Sequence, residues 1–269
     1  MIADLDTNLA ELNDQSQREW HEKLDRWPEF YRQWRRDEWQ SYADLLTHCI
    51  VFGLQVGFTN GQRRCRVLEI GHGSGRGLAF LAEELKVPAE LITGVEVLKY
   101  RHDECAERFP GVRLDVLKKP TARGLLNWLK RERKEGRWYD VVIARHVMEH
   151  LPHPELILPE IAGLIPVDRL FGMIVPMVGT EGEEVSHLTD IPIAWDALSA
   201  AQVGRDARRV NTMHPGVNTG RYRSITTAFK PGWLPLLESA KLAPVDFGYR
   251  KNPSQHKAKE AYAICRRVA

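Results

Sequence analysis

Val67-Leu68-Glu69-Ile70-Gly71-His72-Gly73-Ser74-Gly75-Arg76-Gly77 decides the fold. An apolar run that ends in an acid opens into glycines at every second position, the pattern of a strand turning into a helix around a nucleotide-type ligand. Glycine there lets the backbone take positive φ and lets a ligand come to main-chain distance. The predicted helix, Leu78 to Leu85, then points its first N–H groups at that ligand. The dinucleotide fingerprint G-x-G-x-x-G fails in each register, because its last position falls on Arg76, Leu78 or Phe80. The loop therefore does not read as a pyrophosphate site.

Working outward, Leu91-Ile92-Thr93-Gly94-Val95-Glu96 reads as a second buried strand closing on a carboxylate. Doubly wound folds place a ribose-hydroxyl acceptor at this distance from the loop, and two vicinal hydroxyls suit one carboxylate with two acceptor oxygens. A third short strand, Val112-Arg113-Leu114-Asp115, again ends in an acid. Any one of these acids alone is an ordinary solvated strand end; three in order, each after an apolar run, outline a cofactor site. Tyr139 to Ala144 forms the fourth strand and runs into Arg145-His146-Val147-Met148-Glu149-His150-Leu151-Pro152, and Leu170 to Pro176 supplies the fifth.

The glutamate Glu69 followed by G-x-G-x-G resembles motif I of the class I S-adenosylmethionine-dependent methyltransferases, small-molecule type, and the E-H-L-P stretch at Glu149 to Pro152 looks like that family's post-motif segment. The similarity covers about Arg64 to Pro176 well and the remainder in outline. It implies an α/β fold: a doubly wound, Rossmann-like, seven-stranded and mostly parallel sheet, with an N-terminal helical cap and an insertion after strand five. It implies S-adenosyl-L-methionine as cofactor, held by Glu69, Gly71, Gly73, Gly75, Glu96, Asp115 and Arg145, with Asp115 beside the adenine amino group. The chain departs from the family at Ile165-Pro166-Val167-Asp168-Arg169, where a proline-glycine-glycine turn is common, and at Pro159, which falls inside a predicted helix and should kink it.

With 269 residues, 43% hydrophobic and 28% charged, the chain can bury one large core. It divides into a cap over 1–61 and a Rossmann-like domain over 62–269 that carries a lid or substrate insertion at 177–230. The formal charge of +2 does not demand a polyanion partner. Cys49, Cys65, Cys105 and Cys265 show no C-x-x-C spacing, which argues against a disulfide framework or a cysteine-rich zinc site and fits the reducing cytoplasm. The longest apolar run, Cys49 to Phe58, is too short to span a bilayer, and the acidic N-terminus lacks a signal-peptide pattern.

Trp20, Trp27 and Trp34 recur at a seven-residue step with Leu24 and Tyr31 between them, one apolar stripe for packing the cap onto the core. Lys130 to Arg137 reads as a solvated last helical turn ended by Gly136. Trp233 to Leu242 reads as a helix, and Val245 to Tyr249 and Ala261 to Val268 as a reversed pair of strands that closes the sheet. The stretch between Met177 and Lys230 has little periodicity and is expected to cover the acceptor.

A methyl on a sulfonium is already activated, so the protein must place the acceptor atom behind it and handle a proton where the acceptor carries one. His146 and His150 after strand four and His187 after strand five are the candidate catalytic residues. On a helical turn His146, Glu149 and His150 would share one face, and His187 would complete a divalent-metal site. Ubiquinone-pathway O-methyltransferases and small-RNA 3′-terminal 2′-O-methyltransferases carry E-x-x-E-H here and use it for a metal; in this chain His146 replaces the first glutamate. H-x-x-E-H also matches a metalloprotease motif, but that needs a long helix and Pro152 follows at once. A metal-free histidine base is favoured over the divalent metal.

The reading is a methyltransferase acting on a small-molecule or sugar acceptor at oxygen. The alternatives are an RNA ribose 2′-O-methyltransferase with a divalent metal and a non-catalytic methyltransferase-like binding subunit. Ala144-Arg145-His146-Val147 stands where a nucleic-acid amino methyltransferase needs N/D-P-P-Y/F, and no cysteine follows the strand for attack on cytosine, so the sequence disfavours a nucleic-acid partner. The intact glycines and acids argue against a decayed site.

Overall fold

The structure is a computed structural model that describes residues 5–11, 14, 65–176, 233–251 and 258–269. The cap stripe of Trp20, Trp27 and Trp34, Cys49, the insertion at 177–230 and His187 lie outside the described residues.

Strands β1 (Val67–Ile70), β2 (Ile92–Glu96), β3 (Arg113–Val116), β4 (Val141–Arg145), β5 (Leu170–Pro176), β6 (Leu242–Lys251) and β7 (Ala258–Arg267) form one sheet of order β3-β2-β1-β4-β5-β7-β6. The first five run parallel, and β7 inserts antiparallel between β5 and β6. This is the expected doubly wound sheet with its reversed closing pair. Helices α1 (Arg76–Ala79), α2 (Lys99–Arg108), α3 (Ala122–Lys134), α4 (Pro154–Gly163) and α5 (Trp233–Ser239) connect the strands. The predicted Leu78–Leu85 helix is replaced by short α1 and a π turn over Phe80–Glu84.

Alternation along the central strands assigns each side chain to a layer. Leu68, Ile70, Val142 and Ala144 pack with α3, α4 and α5 residues such as Leu129, Ile161 and Trp233. Val67, Val141 and Ile143 face the other way, with Leu78, Leu81, Cys105 and Phe109. Both faces of the parallel strands are therefore covered, which is why β1, β2 and β4 are buried throughout. Each such aliphatic side chain contributes about 1.5–3 kcal/mol by leaving water. Glu69 shares the face of Val67 and so is directed toward α1, a point that matters below.

Near the N-terminus, Leu9 is buried; its N–H donates to the Pro120 carbonyl at 2.7 Å, and Arg123 N–H donates to the Leu5 carbonyl at 2.9 Å. This contact stands beside the α3 cap, where Thr121 Oγ accepts from Gly124 N–H at 3.0 Å. Helix α4 is continuous through Pro159: the proline removes one N–H, while buried Ile157, Leu158 and Ile161 keep the helix docked.

The charged run at the end of α3 is the solvated turn that its composition predicts except on the face that carries Glu132. Gly136 does end it, at φ 71°. Glu132, however, is fully buried, accepting from Arg113 Nη1 and Nη2 at 2.8 Å each, Arg137 Nε and Nη2 at 2.7 Å each and Tyr139 Oη at 2.8 Å. The physical reason is that this side of the turn faces β3 and the chain entering β4 rather than water. Cys65, Cys105 and Cys265 are buried, and no disulfide joins them. Among the described residues no helix is long and apolar enough to cross a membrane.

Candidate cofactor and active site

The register of β1 sets the site. Ile70 pairs with Val95 and Ala144, so Gly71 leaves the carboxyl edge of the sheet between the ends of β2 and β4. Gly71 and Gly75 have φ 72° and 76°, and both are pressed by neighbours. A Cβ at Gly71 would stand 2.4 Å from Val147 Cγ2, and one at Gly75 would stand 2.8 Å from Cys105 Sγ and 2.8 Å from Phe109 Cε2. Gly73 differs: the atom near its Cβ position is Arg101 Nη1 at 3.6 Å, which leaves an approach for a ligand. Glu69 is fully buried beneath α1, where a Cβ at Gly77 would come within 2.2 Å of its Oε1. Its charge lies at a helix N-terminus, the favourable end of the dipole.

Glu96 closes β2 and ties the loop to it. Its Oε2 accepts from Gly73 N–H at 2.8 Å, and its Oε1 accepts from Val97 N–H at 2.7 Å and Leu98 N–H at 3.1 Å. A carboxylate offers about four lone-pair directions, so three backbone donors leave capacity for a ligand hydroxyl. Val97, Leu98 and Leu117 give an apolar border beside it, and Leu117 N–H donates to the Glu96 carbonyl at 2.9 Å.

Asp115 is the third residue of β3, which ends at Val116 rather than at the acid as the sequence predicts. Its Oδ2 accepts from Arg113 Nη2 at 2.5 Å and Trp128 Nε1 at 3.0 Å, so the carboxylate is fixed from the α3 side. Arg145 is buried at the end of β4, paired in register with Ile174.

After Arg145 the chain does not form the helical turn expected for H-x-x-E-H. His146 has φ 50° and donates its N–H to the Ile174 carbonyl at 2.8 Å; only Met148–His150 then form a 3-10 turn. Glu149 nonetheless meets both histidines: its Oε1 is 3.1 Å from His146 Nδ1 and 3.9 Å from His150 Nε2. Burial alone would push the Glu149 carboxyl up. The His146 hydrogen bond and the nearby His150 outweigh this and hold it below the ordinary carboxylate range. Among the described residues no three His, Cys, Asp or Glu side chains are grouped to hold a metal ion.

His72, between two glycines of the loop, has no role assigned to it by the sequence motif. Its ring is fully buried and packs on Gly94, where a Cβ would stand 2.8 Å from His72 Cδ2 and 2.8 Å from Leu114 Cδ2. The signal available in the sequence was the glycine itself, since a glycine in mid-strand marks a close approach. Gly94→Ala should cost about 1–3 kcal/mol by overpacking and should weaken cofactor binding through displacement of His72. Urea unfolding and calorimetric titration check this, and wild-type values in both would refute it.

No family model matches the chain, and no curated protein matches it. Among solved structures it is similar to 1,6-didemethyltoxoflavin-N1-methyltransferase from Burkholderia thailandensis, with bound 1,6-didemethyltoxoflavin and S-adenosylhomocysteine: 16% identity, 90% of each chain covered, TM-score 0.50. It is also similar to geranyl diphosphate C-methyltransferase from Streptomyces coelicolor A3(2), in complex with Mg2+, geranyl diphosphate and S-adenosylhomocysteine: 9% identity, 87% of this chain and 80% of that chain covered, TM-score 0.50. At such identities the likeness is one of fold. The chain has the class I S-adenosylmethionine-dependent methyltransferase fold, a fold shared with enzymes.

Proposed function

We propose that this protein is a cytoplasmic S-adenosyl-L-methionine-dependent methyltransferase that methylates a small molecule or sugar at oxygen. The observation that carries the reading is the Glu96 carboxylate locked onto Gly73 at the carboxyl edge of the sheet, with spare acceptor capacity beside an apolar border. Those residues fit an adenosyl group: a carboxylate for the ribose hydroxyls, Val97, Leu98 and Leu117 against the purine, and Asp115 Oδ1 for its amino group. When bound, the cofactor supplies a methyl already activated on sulfonium. The two similar structures belong to an N- and a C-methyltransferase, so the choice of oxygen rests on the histidine pair and not on the fold.

His146 is the base in this reading. Donation of its Nδ1–H to Glu149 makes Nε2 the basic nitrogen, and the buried carboxylate stabilises the imidazolium after it takes the acceptor's proton. His150 lies farther from Glu149 and is assigned a supporting position. Arg145 and Gly71 shape the edge against which the cofactor lies.

Calorimetric titration with S-adenosylhomocysteine tests the cofactor site. Wild type should bind, and Glu96→Ala should lose about 1.5–3 kcal/mol, the scale of a hydrogen bond to a charged group. Failure of wild type to bind, or equal affinity in a folded Glu96→Ala variant, overturns the reading. Profiling of hydroxylated acceptors with mass spectrometry then identifies the methylated atom; methylation confined to nitrogen or carbon would reject the oxygen assignment.

A further inference from the structure

We infer that His72 is a positioning residue of the cofactor loop: as the Nδ1–H tautomer of a neutral imidazole it fixes the Gly73 carbonyl, and with it the backbone of the residue whose N–H aligns Glu96 for the cofactor. The inference rests on the cofactor reading above and adds to it a residue of the loop itself.

Gly73 is held through both of the peptide groups that flank its Cα. Its N–H donates to Glu96 Oε2 at 2.8 Å, while its carbonyl accepts from His72 Nδ1 at 3.1 Å and from Cys105 Sγ at 3.4 Å. A carbonyl can only accept, so Nδ1 carries the proton. In the neutral ring Nε2 is then a bare lone pair, and it is buried with no hydrogen-bond partner among the described residues. The neighbouring ring of His102, on α2, has its centroid 6.4 Å away, and its Nδ1 is likewise buried without a partner.

Packing gives no reason for an imidazole in this place. The surroundings of the ring are Gly94 and Leu114 on the sheet and Cys105 on α2, with Glu96, Arg101 and His102 as the charged or titratable groups that face it. An apolar side chain would fill the same space without stranding a ring nitrogen. What the imidazole adds is the donor to the Gly73 carbonyl. Gly73, at φ 53°, has the backbone freedom of a glycine, and without the imidazole the Gly73–Ser74 peptide would keep only the longer, weaker Cys105 thiol contact. Release of that carbonyl would let Gly73 turn about its own φ and ψ, draw its N–H away from Glu96 and leave the carboxylate unaligned.

Burial disfavours the charged form of His72, and this outweighs the Glu96 charge and the Gly73 hydrogen bond, so its pKa lies below the ordinary histidine range. The ring is thus neutral at neutral pH. The sign for stability follows: the unfolded chain takes up a proton at His72 first, so stability falls as pH drops through the ordinary histidine range.

The test separates a donor from a filler. His72→Asn places an amide N–H near the Nδ1 position, whereas His72→Leu fills the space without a donor. S-adenosylhomocysteine affinity should stay within about threefold of wild type for His72→Asn and fall at least tenfold for His72→Leu, while the melting temperature of His72→Leu is unchanged or raised. Long-range 15N NMR of the free protein should show His72 as the neutral Nδ1–H tautomer. Equal affinity in the Leu and Asn variants of a wild type that binds, or an Nε2–H or protonated His72, overturns the inference. Absence of binding by wild type would instead overturn the cofactor reading, and the tautomer measurement would still decide the ring's state.

Discussion

Glu132→Gln should destabilise the protein by about 3–5 kcal/mol, the scale for breaking a buried charge network by removing one partner. Glu132 is fully buried and is the common acceptor of Arg113, Arg137 and Tyr139. A neutral amide removes the buried charge that the two guanidinium groups share, leaving Arg113 to Asp115 and Arg137 to Glu135, and presents an N–H where a donor already points. For a protein of this size the loss corresponds to a fall in melting temperature of roughly 6–20 °C. Glu135→Gln, on the exposed side of the same run, should stay within about 0.5 kcal/mol of wild type. Similar, small effects of the two substitutions would show the network to be ornamental.

The same residue gives a pH signature. Burial alone would raise the Glu132 carboxyl, but its bonds to Arg113, Arg137 and Tyr139 win and hold it at about 2, from an ordinary value of 4.5. A carboxyl depressed on folding contributes its stability in full above its unfolded pKa and loses it as pH falls toward the folded one. Wild type should therefore lose stability between about pH 4.5 and pH 2 through this group, and Glu132→Gln should lack that component.

The difference between these two glutamates marks where sequence reading stops. Periodicity located the strands because a parallel strand covered on both faces is a continuous apolar run: β5 was legible to the residue, and β1, β2 and β4 within two residues. β1 and β3 each run one residue past their acids, whereas Glu96 was legible as a strand end because the carboxyl edge of such a sheet is a fixed place. Glu132 was not, since K-R-E-R-K-E has the composition of a solvated turn and only the approach of Arg113, some nineteen residues earlier, makes it interior. His72 was missed for the same reason: its role is set by Gly94 and Gly73, whose positions relative to the ring exist only once β1 and β2 pair. The helical face expected for His146, Glu149 and His150 failed because His146 takes a left-handed backbone to donate to β5, which starts the turn two residues late.

With the acceptor identified, His146→Ala should lower kcat by about 10²–10⁴-fold, the range for loss of a general base, while S-adenosylhomocysteine affinity changes little. The geometry separates the two quantities: His146 stands after β4 against Glu149, whereas the proposed cofactor residues Gly73 and Glu96 lie in the loop after β1 and at the end of β2. Glu149 stays ionised across the histidine range, because its carboxyl is held below ordinary values. The acid limb of the kcat profile should accordingly follow one histidine, with activity falling as pH drops and His146 gains the proton it must otherwise accept. Glu149→Gln should also reduce kcat, since the amide still bonds to the ring but no longer stabilises an imidazolium. The competing metal reading makes the opposite forecast for a chelator: activity would vanish and return with an added divalent ion, and His146, Glu149 and His150 variants would be about equally damaged. A base paired with a carboxylate instead gives chelator-insensitive turnover, with His146→Ala far worse than His150→Ala. Wild-type kcat in His146→Ala would remove the base from the mechanism and leave the methyl transfer to positioning alone.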